Sequence, residues 1–220
     1  MREHKSISIA DQIFEQLEHD ILIGKYQRGE TLTELKLSQT LGVSRTPIRE
    51  ALRRLEQEHI IEETSRGAVV IGISREDLID MYEIRIQIEG LCAARTANAI
   101  SDEGLSKMKE VLDLQRYYVD KTDADGSDNS DNIKNLDSQF HRMLYFYSGS
   151  KAYIDTLLPI HKKMIKYRKA AVKSHSRARQ SLSEHEGIYN ALAAHDAPLA
   201  QRLTVEHAQR ARSSILEKEI

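Results

Sequence analysis

The spacing of apolar residues in the first part of the chain predicts three short helices. Over residues 9–22, apolar side chains recur every three or four positions, which places them on one face of a helix. Thr33 can cap a second helix, and Gly42 offers the left-handed conformation that ends it. A third helix begins at Ser44 and reaches about residue 58. Either Ser44 or Thr46 can cap it.

After residue 59 the period of the pattern changes twice. Residues 60–64 and 68–73 are short and β-branched, and Ser65, Arg66 and Gly67 separate them, which predicts a β-hairpin. From residue 74 onward the spacing is helical again. The candidate helices there span about 75–99, 101–120, 132–148, 151–172, 178–195 and 197–218, and the polar stretch 120–132 predicts a solvated loop.

These elements predict a mainly α protein with two domains. Residues 1–73 form a small helical domain that carries a β-hairpin, and residues 74–220 form an all-α six-helix bundle. A chain of 220 residues with 40% apolar content can build a core in each domain.

Composition limits where the protein acts. No apolar run approaches the roughly 20 residues needed to span a bilayer, and the N-terminus lacks the apolar region of a signal peptide. The single cysteine, Cys92, excludes an intrachain disulfide and fits a reducing compartment. We therefore expect a cytoplasmic protein that does not associate with membranes.

Positive charge is concentrated on the third predicted helix, although the whole chain has a formal net charge of −2. Residues 44–55 contain four arginines and one glutamate. At about 100° per residue, one arc of this helix is apolar and the flank is basic. The apolar arc holds Ile48, Ala51, Leu52 and Leu55, and the flank holds Arg45, Thr46, Arg49 and Arg53.

A helix with one packed and one basic side fits the major groove of double-stranded DNA. Arginine near its N-terminal end can donate two hydrogen bonds to guanine, while Ser44 and Thr46 can meet phosphates. The hairpin would then form a wing, with Arg66 and Gly67 at its tip near the minor groove. A basic helix face alone is usually only solvated, but the order of short helix, glycine turn, basic helix and β-wing is more specific. We interpret residues 1–73 as a winged helix-turn-helix DNA-binding domain.

The segment from Leu41 to Glu56, LGVSRTPIREALRRLE, resembles the recognition segment of the GntR family of bacterial regulators. The resemblance extends over about residues 10–73. It implies a homodimer on a near-palindromic DNA operator. It also implies base contacts from Arg45 and Arg49, backbone contacts from Ser44 and Thr46, and wing contacts from Arg66 and Gly67.

The helical segment resembles the FadR C-terminal type of GntR effector domain, abbreviated FCD. The resemblance implies a metal bound through an Asp and a His one turn apart and two further His. The matching positions are Asp137 and His141 in LDSQFHRML, His185 in LSEHEGIYNAL and His207 in VEHAQRARSSIL.

The spacing of these four residues is compatible with a metal site. Asp137 and His141 share a helix face, and His185 and His207 lie in apolar stripes that point into the bundle. A single inward histidine is more often a core residue than a ligand, but three that converge with a carboxylate favour a divalent transition metal ion. Three nitrogens and one oxygen suit Zn, Ni, Mn or Fe. His161 also lies in an apolar stripe, outside the motif, and we expect it in the core or lining a pocket.

Arg85 lies in the inward stripe of the first bundle helix, and a buried guanidinium requires an anion. That anion is either a small organic acid effector or Glu89, one turn further along.

The sequence thus predicts a ligand-responsive transcriptional regulator, not an enzyme, in which an effector shifts the arrangement of the winged domains and so alters DNA affinity. Two alternatives remain: a metal-dependent enzyme fused to a DNA-binding domain, for which no HExxH motif supplies a general base, and a regulator whose metal is purely structural.

Overall fold

The computed structural model describes residues 8–22, 24–171 and 175–216. Their elements run in the order α1 Ile9–Leu22, β1 Thr31–Leu32, α2 Glu34–Leu41, α3 Arg45–Gln57, β2 Ile61–Thr64, β3 Gly67–Val70, α4 Arg75–Ala99, α5 Asp102–Asp125, α6 Ser130–Tyr147, α7 Lys151–Ala171, α8 His175–Ala193 and α9 Ala197–Leu216. The chain divides into two units, Met1–Asp77 and Leu78–Ile220. The predicted mainly α fold with a small hairpin is confirmed.

The three helices of the N-terminal unit enclose an apolar core. Leu17 of α1 meets Ile48 and Leu55 of α3 in this core, and all three side chains are fully buried. Thr33 caps α2 by accepting a hydrogen bond from the backbone N of Lys36. Gly42 ends the helix in the left-handed conformation, so the predicted turn between α2 and α3 is confirmed.

The hairpin belongs to a three-stranded antiparallel sheet with the order β1-β3-β2. Its register pairs Thr64 with Gly67, which leaves Ser65 and Arg66 as the turn. Strand β1 was not predicted, because two residues are too few to display an alternating pattern. Leu32 of β1 is buried in the core of this unit.

The second unit contains the six predicted helices, α4 to α9, around one main core. Phe140 and Leu144 of α6 are fully buried in this core, as is Ile188 of α8. Helices α4 and α9 approach closely at Gly90, where a Cβ atom would lie 2.7 Å from Cγ2 of Val205. None of the described helices is both long enough and apolar enough to cross a membrane.

The predicted loop over residues 120–132 is shorter than expected. Helix α5 continues to Asp125, and only residues 126–129 separate it from α6. The polar composition of residues 121–125 concealed this extension, in which Oγ1 of Thr122 accepts a hydrogen bond from the side-chain amide of Asn129 at 3.1 Å. Gly126 ends α5 in the left-handed conformation, with its N–H bonded to the carbonyl of Thr122.

Candidate nucleic-acid interface and metal centre

Helix α3 packs through one side and exposes the other, as its sequence pattern predicts. Ile48, Ala51 and Leu55 are fully buried, and Leu52 is half-buried against the same core. The opposite side carries exposed Ser44, Arg45, Thr46, Arg49 and Arg53. Ser44 occupies the cap position of α3, but its side chain makes no capping hydrogen bond.

The arginines of α3 differ in what they contact. Arg45 and Arg53 form no hydrogen bond or ion pair with any described residue. Arg54 is fastened to α1, since its guanidinium pairs with Asp11 and lies 4.1 Å from the ring centre of Phe14. Arg54 therefore serves the fold, whereas Arg45 and Arg53 are available to a partner.

Arg49 is held by a carboxylate of α2. Its Nε donates to Oε1 of Glu34 at 2.7 Å, and NH2 donates to Oε2 at 2.8 Å. The hydrogen bonds from Arg49 lower the pKa of the Glu34 carboxyl. Sequence reasoning missed this pair, because the two residues are 15 positions apart and belong to different helices.

The wing places its two predicted residues differently. Arg66 is exposed in the turn, and its backbone N donates to Oγ1 of Thr64. Gly67 is the first residue of β3, not the tip, and corrects that part of the expectation. Its φ is +126°, and a Cβ atom would lie 2.6 Å from the carbonyl oxygen of Leu32. The glycine is therefore required because β1 passes beside it.

Three helices of the second unit bring histidines together. His141 of α6, His185 of α8 and His207 of α9 are all buried. Each offers a ring nitrogen, and these three nitrogens lie within 4.8 Å of one another. Sequence reasoning singled out all three, and the structure brings them into one cluster, which could hold a metal ion.

Two of the three imidazoles are oriented by buried carboxylates. Nδ1 of His141 lies 2.7 Å from Oε1 of Glu89, and Nδ1 of His207 lies 2.7 Å from Oε2 of Glu184. Because a carboxylate accepts hydrogen bonds, each Nδ1 carries the proton and Nε2 keeps a lone pair for an ion. Metal-binding histidines in proteins almost always donate their other ring N–H to a carboxylate, a backbone carbonyl or water.

His185 has no such partner. Neither of its ring nitrogens has a hydrogen-bond partner among the described residues, and its ring stacks on Phe140 with centroids 4.3 Å apart. Burial lowers the pKa of His185 to about 3, so the imidazole is neutral. A buried polar group without a partner costs about 1–3 kcal/mol, and an ion bound to one of the two nitrogens would remove the cost at that nitrogen.

Asp137 and His161 lie beside the cluster. Oδ1 of Asp137 accepts a hydrogen bond from Ser181 at 3.0 Å and is 3.8 Å from Nε2 of His185. Nε2 of His161 is 3.3 Å from Oγ of Ser138, and its ring centre is 5.0 Å from that of His141. His161 is buried, as expected of a core residue, and is not one of the three clustered histidines.

Arg85 is fully buried and forms the internal ion pair that the sequence left as one of two possibilities. Its Nε donates to Oε2 of Glu89 at 2.8 Å; NH2, at the same distance, is poorly aligned for a hydrogen bond. Burial opposes the charge of Arg85, but the adjacent Glu89 outweighs it and raises the pKa of the guanidinium. Tyr145 also donates to Glu89, at 2.6 Å. Glu89 thus joins Arg85 to His141.

Glu184 is a second functional candidate, besides Glu34, that sequence reasoning missed. It accepts two hydrogen bonds from Arg177, at 3.1 and 2.9 Å, besides the one from His207. Burial opposes its ionisation, yet the hydrogen bonds from His207 and Arg177 lower its pKa to about 2. Its position next to His185 was the available signal, but one sequence does not reveal which helix it faces.

Comparison with known proteins agrees with both halves of this description. Residues 9–71 match the model for bacterial regulatory proteins of the gntR family, and residues 80–210 match the FCD domain. The chain is 27% identical over 198 residues to the uncharacterized HTH-type transcriptional regulator YdhC of Bacillus subtilis (strain 168), covering 89% of this chain and 86% of that protein. It is 26% identical over 208 residues to the HTH-type transcriptional repressor RspR of Escherichia coli (strain K12), covering 94% and 89%.

Solved structures share the architecture. A putative GntR transcriptional regulator from Rhodococcus sp. RHA1 aligns with a TM-score of 0.65 and 26% identity, over 94% of this chain and 97% of that one. McbR/YncC of E. coli aligns with a TM-score of 0.72 over 98% and 100%, and its 20% identity supports the fold alone. These relatives are transcriptional regulators and not enzymes. The chain belongs to the GntR family of DNA-binding transcriptional regulators, in the group that carries an FCD domain.

Proposed function

We propose that the exposed side of α3 reads an operator in the major groove of DNA. The observation that carries this proposal is the set of exposed arginines, Arg45, Arg49 and Arg53, on a helix whose opposite side is buried. A rigid helix presents side chains to base edges with little loss of conformational freedom.

The roles within this surface follow from position. Arg45 and Arg49, near the N-terminal end of α3, donate to guanine, while Ser44 and Thr46 contact phosphates with the helix N-terminus. Arg53, further along, contacts the backbone, and Arg66 in the wing turn reaches the minor groove. Gly67 contributes through the backbone conformation that places this turn. A homodimer places two such surfaces on a near-palindromic operator.

Selection of bound duplexes from a random pool, followed by affinity measurements, tests this assignment. Arg45→Ala and Arg49→Ala should each weaken binding to the selected duplex about 10- to 100-fold, because a bidentate arginine–guanine contact contributes about 1–3 kcal/mol. Arg202→Ala removes one exposed charge from the helical unit and is the matched control. Unchanged affinity in both α3 variants contradicts the proposal.

We also propose that His141, His185 and His207 hold a divalent transition metal ion of the Zn, Ni, Mn or Fe type, with Asp137 as the carboxylate ligand. The donor set fits such an ion, and the unpartnered ring of His185 supports it. When bound, the ion supplies positive charge that attracts a carboxylate. Glu89 and Glu184 then act by orienting the rings of His141 and His207.

Calorimetric titration of metal-free protein with Zn²⁺ tests the site. One ion per chain should bind to the wild type, and His185→Leu should bind it at least 100-fold more weakly because one of three imidazoles is gone. His19→Leu, which changes an exposed histidine of α1, should match the wild type. Equal zinc binding in His185→Leu contradicts the assignment.

The effector in this proposal is a small organic acid held between the ion and Arg85. Arg85 supports this effector because a buried guanidinium attracts carboxylates. The pairing with Glu89 also leaves some N–H donors of Arg85 unused. The second candidate is a purely structural metal, which the pairing of Arg85 with Glu89 favours. Zinc-loaded protein is screened by thermal shift against sugar acids, hydroxy acids and dicarboxylates. A stabilising acid that also changes DNA affinity supports the effector; no response from any class supports the structural metal.

A further inference from the structure

The ion pair between Arg49 and Glu34 has a geometry that bears on DNA reading. A guanidinium has five N–H donors in a planar fork. Glu34 takes the side edge, formed by Nε and one hydrogen of NH2. The terminal edge, formed by NH1 and the second hydrogen of NH2, has no partner among the described residues.

The free edge is the one that a guanine needs. Guanine offers O6 and N7 as two adjacent acceptors in the major groove, and two parallel N–H groups can meet them. Glu34 and a guanine can therefore bind Arg49 at the same time, on different edges. No hydrogen bond to Glu34 has to break before the base is bound.

We propose that Glu34 is a positioning residue that holds Arg49 for bidentate recognition of guanine. Arginine loses much of its rotamer freedom when it orders on binding, and Glu34 restricts that freedom in the free protein. The carboxylate also neutralises Arg49 and so reduces its attraction to phosphates of any sequence. Glu34 thus favours specific over non-specific binding in two ways. The inference rests on the proposed role of Arg49.

The positions of the two residues suit this role. Glu34 is the first residue of α2, half-buried and fixed by the neighbouring N-cap at Thr33. Arg49 remains more than half exposed, so its terminal edge is open to solvent. The pair links the two helices of the helix-turn-helix, and α2 supplies the group that aims the side chain of α3.

The test compares Glu34→Ala with Glu50→Ala in the full chain. Glu50 is an exposed acid of α3 and forms no described ion pair with Arg49, so its variant removes the same charge without the contact. The probes are the duplex selected by the wild type and versions in which each guanine is replaced by adenine. Arg49→Ala identifies the guanine whose replacement no longer weakens binding.

Replacing that guanine should weaken wild-type and Glu50→Ala binding about 10- to 100-fold, and Glu34→Ala binding only about 3-fold. On a mixed-sequence duplex, the salt dependence of Glu34→Ala affinity should steepen by about one unit of log–log slope, because Arg49 is released to phosphates. Full discrimination at that guanine in Glu34→Ala overturns the inference while the role of Arg49 stands. If Arg49→Ala retains every guanine preference, Arg49 does not read a base and both are overturned. Circular dichroism melting checks that Glu34→Ala folds as the wild type does.

Discussion

The exposed basic surface of α3 and the buried polar cluster of the helical unit differ in how their charged side chains are stabilised. On α3, arginines face water, and only Arg49 and Arg54 have partners within the described protein. In the helical unit, Arg85, Glu89 and His141 are fully buried, and Glu89 accepts a hydrogen bond from each of the other two. Exposed charges cost the fold little, whereas buried charges must be paired. Exposed residues of the first site that make no contact can therefore change with little loss of stability, whereas removal of one partner from the buried ion pair destabilises the fold.

The two sites also differ in whether they need a bound ligand to satisfy their polar groups. The α3 surface needs no added component to present its donors. The histidine cluster contains His185 with both ring nitrogens unpartnered among the described residues, and an ion would bind one of these two nitrogens. We therefore expect ligands of the helical unit to act on stability as well as on function.

The largest effect is expected at Glu89. Glu89→Ala leaves Arg85 buried without its counter-ion and removes the partner of His141, so the free energy of unfolding should fall by about 3–5 kcal/mol. Urea denaturation measures this. Arg49→Ala, on the exposed surface, should change it by at most about 0.5 kcal/mol. The double variant Arg85→Met/Glu89→Leu should recover part of the loss, because it removes both charges together but leaves Nδ1 of His141 and the hydroxyl of Tyr145 without their acceptor. A single Glu89→Ala variant as stable as the wild type would refute the distinction between the two sites.

The next effect is stabilisation by metal. Zinc at 100 times its dissociation constant should stabilise the wild type by about 2.7 kcal/mol, since the proposed site exists only in the folded protein. His185→Leu should lose this gain. Without metal, the same variant should be at least as stable as the wild type, because an unpartnered buried imidazole is replaced by an apolar group. Melting curves with and without zinc measure both stability changes. A metal-free His185→Leu variant destabilised by several kcal/mol would show that other groups of the protein satisfy His185.

The smallest effect is expected at Arg54, which we distinguish from Arg49 on the same helix. Arg54→Ala loses a partly exposed ion pair with Asp11 and the contact with the ring of Phe14, so the free energy of unfolding should fall by about 1 kcal/mol. Its affinity for the selected duplex should stay within about threefold of wild type. Urea denaturation and anisotropy titration give the two values. A large loss of DNA affinity at unchanged stability would place Arg54 with the reading surface.

Much of the fold could be predicted because the signals for its helices and turns lie within short segments of the sequence. The periodicity of α1 and α3 and the glycine at position 42 are local signals, and they predicted the helix-turn-helix. The end of α5 and the strand β1 were missed, because a hydrogen bond from Asn129 to Thr122 supports the first and pairing with β3 defines the second. Local composition contains neither contact.

The candidate sites divide along the same line. His141, His185 and His207 could be found from inward stripes together with the family resemblance, since each stripe lies on one helix. Glu34 and Glu184 could not, because their importance depends on which side chain of another helix they meet. The partner of Arg85 stayed open for a related reason: Glu89 one turn away was visible, but its burial was not.

X-ray absorption at the zinc edge of zinc-loaded protein tests the central claim about the buried site most directly. The account predicts imidazole scattering from three histidines, with zinc–nitrogen distances of about 2.0–2.1 Å, and no sulfur ligand. His185→Leu should bind too little zinc to give this spectrum. A spectrum with a sulfur neighbour, or with fewer than two imidazoles, would contradict the assignment of the histidine cluster as the metal centre.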